Sequence, residues 1–154
     1  MTILRGIPSI LNPDLLYALA RMGHGDELVL ADANFPSASV AKHTTLGKEI
    51  RCDGLSIPEL LKAILELFPL DPAVDAPCFT MEMMKQHVDA GWKAPIKEEY
   101  KEIVANSPNG RAPFQEVERF AFYEQSKKAF AVIATGEGAL YANIIIKKGV
   151  IGSK

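Results

Sequence analysis

The stretch Gly23-His24-Gly25-Asp26-Glu27-Leu28-Val29-Leu30-Ala31-Asp32-Ala33-Asn34 contains the change of pattern on which the fold turns. Before it, Leu15, Leu16, Leu19 and Met22 recur at helical spacing. Asn12 supplies an N-cap for that helix, Pro13 suits its first position, and Asp14 complements its positive end. Gly23 is read as the C′ glycine that ends it. After Asp26 the period is lost, and Glu27 to Ala31 reads as a mostly apolar strand with Asp32 at its far end. Open α/β sheets bind ligands beyond the carboxyl ends of their strands. The stretch therefore predicts an imidazole and a carboxylate at the mouth of an α/β fold.

Working outward, residues 33 to 48 are rich in Pro, Ser and Thr and read as a loop. Glu49 to Cys52 reads as a short strand, with Asp53-Gly54 as a turn. Ser56-Ile57-Pro58-Glu59 fits a capping box for a helix continued by Leu60, Leu61, Ile64, Leu65 and Phe68 and stopped by Pro69. Cys78 to Met83 reads as another strand. The polar stretch 85 to 114 is expected to be a peripheral excursion with one helix around Tyr100, Ile103 and Val104, too short to bury its own core. Phe120 to Lys128 is a helix and Ala129 to Thr135 a buried strand. Gly136-Glu137-Gly138 turns the chain into a last strand, Ala142 to Lys147. Strands alternating with helices predict a layered α/β sheet.

The chain has 154 residues, which predicts one domain over residues 1–154, and a chain of this size buries roughly 70% of its unfolded surface. Net charge is −2 and no basic stripe is present, which argues against nucleic acid as a partner. No apolar run approaches the ~20 residues that span a bilayer, so no membrane partner is expected. The N-terminal segment is too short and too interrupted by Gly6 and Pro8 for a signal region. Cys52 and Cys78, with no CxxC pattern, read as packing residues in a reduced setting. The expectation is a soluble, cytoplasmic protein.

His24, flanked by two glycines, is either a loop histidine bonded to the backbone or a proton-transfer group usable near neutral pH. Asp32 either accepts hydrogen bonds from a ligand's hydroxyls or caps the following loop. Arg119 and Tyr123 stand i, i+4 and share a helix face. There the guanidinium either assists the phenol or simply covers its ring. Tyr141 and Asn143 would point the same way on a strand, offering a ring face, a hydroxyl and an amide. Asp26 reads as a turn residue, His87 as a surface histidine beside Lys85 and Asp89, Lys147-Lys148 as a solvated strand end, and Trp92 takes no role. His24, His43 and His87 lack metal-binding spacing, so no metal is expected. GxGxxG, GxSxG and Walker A patterns are missing as well.

Taken together, Gly23-His24-Gly25-Asp26-Glu27, Ala31-Asp32-Ala33-Asn34-Phe35-Pro36, Arg119-Phe120-Ala121-Phe122-Tyr123-Glu124, Thr135-Gly136-Glu137 and Tyr141-Ala142-Asn143-Ile144 resemble the L-fucose mutarotase family, which is related to the D-ribose pyranases. The resemblance spans nearly the whole chain in order. Arg119 and Tyr123 side with the fucose branch, where the ribose branch has a histidine-containing segment. Ala142 stands where many fucose members have Gly. The resemblance implies a three-layer α/β/α fold with a central mixed sheet, no metal and no organic cofactor. It implies a homo-oligomer, a decameric ring, with sites at subunit boundaries and L-fucose as the monosaccharide partner. By motif match, His24 is the proton donor, and Asp32, Arg119, Tyr123, Tyr141 and Asn143 contact sugar. The animal branch adds Asp71 and Met81. A mechanism on these residues makes His24 and Tyr123 the two proton-transfer groups, with Asp32 anchoring hydroxyls or orienting His24. A non-catalytic sugar-binding protein and a D-ribose pyranase are the alternatives.

Overall fold

The first and third helices begin where the sequence provides a cap. Asn12 is extended and its side-chain oxygen accepts the Leu15 N–H at 2.8 Å, with Pro13 next. Ser56 and Glu59 close a reciprocal capping box, their side chains satisfying each other's backbone N–H. The computed structural model, which describes residues 3–152, has six helices and six strands. The order is α1 (Pro13–Arg21), β1 (Glu27–Ala31), α2 (Ser37–Ala41), β2 (Ile50–Cys52), α3 (Ile57–Leu65), β3 (Cys78–Met81), α4 (Lys85–Asp89), α5 (Ile96–Ala105), β4 (Phe114–Val117), α6 (Arg119–Lys127), β5 (Ala131–Thr135) and β6 (Ile144–Lys147).

The strands form one mixed sheet in the order β2-β5-β1-β6-β3-β4. β1 runs parallel to β5 and antiparallel to β6, which also opposes β3. Period-2 alternation sends the two sides of each central strand into different cores. Leu28, Leu30, Ile133, Ile144 and Ile146 pack with α1, α3 and α5. Val29, Ala31, Val132 and Ile145 pack with Phe35, Val40 and Phe122 of the opposite layer. β1 is therefore apolar on both faces, and the architecture is three layers, α/β/α.

Several expectations change. The 33–48 loop contains α2, and the 85–114 excursion contributes two helices and an edge strand. Ile96, Tyr100 and Val104 of α5 are buried in the main core, and the Tyr100 hydroxyl donates to the Ala142 carbonyl at 2.6 Å. Burial pushes that phenol well above its ordinary range. α5 is thus a structural layer member. The edge strand β4 escapes sequence reading because Gln115 and Glu116 are exposed on a short segment that begins next to Pro113.

α1 also ends differently. Its C-cap is Met22 in an extended conformation, and Gly25, not Gly23, takes the left-handed backbone at φ 86°. The Lys148 ammonium donates to the carbonyls of Leu19 and Met22 at 3.2 and 2.6 Å. A cation at the negative helix end replaces the glycine cap. Lys148 is therefore not a solvated strand end. Lys147 is half-buried and pairs with Glu27 at 3.5 Å.

Candidate functional site

The carboxyl end of β6 assembles the first polar cluster. Gly25 donates its N–H to the Lys148 carbonyl at 2.8 Å, and Lys148 returns its N–H to Asp26 at 2.9 Å. Asp26 accepts the Gly23 N–H at 2.7 Å, as expected of a turn residue. This holds His24 outward. On the other side, Asp71 N–H donates to Lys147 and Gly149 N–H to Pro69, laying residues 69–71 against the strand end. Only glycine fits at 149: a Cβ there would stand 2.7 Å from the Leu70 carbonyl oxygen and 2.9 Å from Asp71 Cα. The result is a 3.1 Å contact between His24 Nε2 and a carboxylate oxygen of Asp71. The Asp71 side chain is 5% exposed and that of His24 is 55% exposed. Within the chain it is Asp71 that holds His24. Because a carboxylate only accepts, the pair favours a proton on Nε2 and leaves Nδ1 as a lone pair for chemistry.

The second cluster lies at the carboxyl end of β1 and the start of β6. Asn143 Oδ1 accepts the Asp32 N–H at 2.7 Å, so its amide nitrogen is the half left for a ligand. The Asp32 carboxyl is buried and accepts the Asn34 N–H at 3.0 Å. Burial pushes it above the usual carboxylate range, opposed by the N–H groups of Asn34, Phe35 and Ala142. Asp32 therefore has both expected features, a loop-capping bond and a polar position beyond a strand end. Met81 is buried at the end of β3, paired with Val117 of β4. Glu118 follows and caps α6, accepting from Phe120 and Ala121 at 3.0 Å each. Those bonds hold its carboxyl below the usual range.

Arg119 and Tyr123 then share a face of α6. The guanidinium lies over the phenol ring, 6.0 Å from its centroid, and bonds the Met84 sulfur at 3.6 Å. The contact is with the ring face, the covering arrangement rather than assistance at the hydroxyl. Helix side chains lean toward the N-terminus. Tyr123 accordingly reaches back toward Arg119 and packs on Phe35 at 5.4 Å. Tyr141 precedes β6 in a left-handed backbone at φ 55°, so strand alternation does not govern how it and Asn143 point. Its hydroxyl accepts the Met84 N–H at 3.1 Å and is hydrogen-bonded to His87 Nδ1. His87, read from sequence as a plain surface residue, thus belongs beside the site.

The expected residues therefore form two groups. His24 and Asp71 sit at one end of the central strands; Asp32, Met81, Arg119, Tyr123, Tyr141 and Asn143 sit toward the other. The five residues of β1 alone separate the ends by about 13 Å of strand. Within one chain the two groups are not brought together. Among the described residues, no group of three or more His, Cys, Asp or Glu side chains is placed to hold a metal ion. No helix is long and apolar enough to cross a membrane.

Fold and clusters define a class first: a mixed-sheet α/β/α protein with polar side chains gathered at opposite ends of its central strands. The chain belongs to the RbsD / FucU transport protein family, whose sequence model matches residues 5–151. It is 60% identical to a fucose mutarotase of Danio rerio over 98% of this chain and 96% of that protein. It is 52% identical to a fucose mutarotase of Homo sapiens, again over 98% and 96%. Among solved structures, the fucose mutarotase of Streptococcus pneumoniae in complex with L-fucose superposes with a TM-score of 0.84. That protein is 46% identical, covering 97% of this chain and 100% of the other.

Proposed function

We propose that this protein is a mutarotase that interconverts the α and β anomers of L-fucose, an isomerase acting on a monosaccharide. The observation that carries the reading is full-length likeness to fucose mutarotases, and this chain's His24–Asp71 pair and Asp32–Asn143 bond support it. Anomer exchange needs a base for the anomeric hydroxyl and an acid for the ring oxygen. His24 takes the hydroxyl proton on Nδ1 while Asp71 holds its other nitrogen. Tyr123 gives its proton to the ring oxygen as the bond from that oxygen to the anomeric carbon breaks. The aldehyde rotates, and both protons return as the ring recloses on the other face. Asp32, Asn143 and Tyr141 hold hydroxyls, while Arg119 and Met81 shape the wall.

Since the two proton-transfer groups lie at opposite ends of the sheet, each site takes His24 and Asp71 from one subunit and the remaining residues from a neighbour. A closed ring of identical subunits, a decamer, supplies such sites all round. Residues 1–154 act as one domain, and the cytoplasm is the working compartment.

Saturation-transfer NMR on L-fucose, with D-ribose alongside, tests the reading. Each well-placed proton transfer is worth about 10²–10⁴-fold, so His24→Ala and Tyr123→Phe should each slow exchange by at least about a hundredfold while remaining folded. A folded His24→Ala protein exchanging at the full rate removes His24 from its role. Sugar binding without faster exchange in the parent protein removes the mutarotase reading.

A further inference from the structure

The segment after β3 builds a structure that the proposed chemistry does not use. α4 ends in a Schellman cap: Trp92 N–H bonds the His87 carbonyl at 3.0 Å, Gly91 N–H bonds that of Val88 at 3.0 Å, and Gly91 takes φ 82°. This cap folds the chain back so that the Trp92 ring stacks on the His87 ring, centroids 3.8 Å apart and planes within 1°. The stack leaves the imidazole edge facing Tyr141, where Nδ1 meets the phenol hydroxyl. Among the described residues this is the one hydrogen bond of the His87 ring.

We propose that His87 is a positioning residue for Tyr141, and that its protonation selects whether the Tyr141 hydroxyl donates or accepts toward bound sugar. This rests on Tyr141 lining the sugar site as proposed above. The phenol oxygen already accepts the Met84 N–H. With neutral His87, the phenol proton can turn to Nδ1, and the oxygen then offers the ligand a lone pair. With imidazolium, Nδ1–H must donate, and the phenol proton turns outward. Asp32 accepts, and the Ala142 N–H beside Tyr141 is among the groups that favour its carboxylate. A sugar hydroxyl shared between an acceptor at Asp32 and a donor at Tyr141 is fully matched, whereas two acceptors compete for its single proton. Protonated His87 therefore favours binding.

The charged groups around the pair come from four directions. Lys85 and Asp89 of α4 pair with each other at 3.0 Å. Lys97 of α5 lies 5.7 Å from the Tyr141 ring centroid and bonds Glu116 of β4 at 3.2 Å. Arg119 of α6 reaches Met84. Glu82, Lys93 and Glu98 line the groove beside Trp92.

L-Fucose affinity is measured at about pH 5.5 and pH 8, which bracket ordinary imidazole titration, in the parent protein and in His87→Asn, whose amide replaces Nδ1 without titrating. The parent should lose about three- to tenfold more affinity than the variant as pH rises, the worth of one hydrogen bond. Equal losses overturn the proposal. Should His87→Asn fail to fold, the parent decides: the NMR titration midpoint of the His87 ring must rise when saturating L-fucose is added, because linkage is reciprocal. An unmoved midpoint overturns the proposal. If L-fucose does not bind at all, the function reading fails instead. Tyr141→Phe then decides the coupling, since it must alter the His87 titration.

Discussion

An exposed imidazole held by a buried carboxylate is a suitable proton carrier, because one nitrogen is fixed while the other stays available. Asp32 shows the opposite condition: its burial opposes charge. With its native value raised, the folded state binds more protons than the unfolded chain in the window above the ordinary carboxylate value. Stability therefore falls as pH rises through that window. Thermal melts between about pH 4 and 7 should show this slope, and Asp32→Asn should flatten it while weakening sugar binding. An unchanged slope would place the raised titration elsewhere. The buried carboxylate is held at some expense of stability. His24 and Asp32 are legible in sequence because a glycine break and a strand end place them by local rules. His87 is not, because its role is set by a hydroxyl from a distant part of the chain. The Gly91-Trp92 pair beyond α4 is the signal that could have pointed to it.

At the scale of elements, two glycines do different work. Gly149 is required because a backbone crosses it, and Gly91 because its φ is positive. Gly149→Ala must push the Leu70–Asp71 backbone away, costing about 1–3 kcal/mol and moving Asp71 off His24. Gly91→Ala meets nothing within 4 Å and bears only the left-handed strain, about 1–2 kcal/mol. Denaturant midpoints should fall in both, but only Gly149→Ala should also strip anomer exchange down toward the His24→Ala rate. Equal exchange in the two variants would separate Asp71 from catalysis. α1, α3 and the central strands are legible because their caps and periods are local. β4 and α5 are less so: an edge strand needs only one apolar side, and the burial of α5 depends on the sheet it covers.

For the whole molecule, the separation of His24 from Tyr123 predicts complementation between subunits. Mixing His24→Ala and Tyr123→Phe subunits under conditions of exchange should restore about a quarter of full activity, the fraction of boundary sites that draw an intact residue from each side. Mixtures as inactive as their parents would mean that each site lies within one chain. The sequence by itself determined the layered α/β class, the caps and periods of its main helices, the apolar central strands and the identity of most polar residues. Those follow from neighbours within a turn or a strand. Only the tertiary structure decided that His24 pairs with Asp71, that Lys148 closes α1, that Tyr141 leaves the strand to meet His87, and that the polar residues divide between two ends of the sheet. Each of these depends on which distant segments the antiparallel entry of β6 brings together, and pairing across a sheet is a long-range choice that no local pattern encodes.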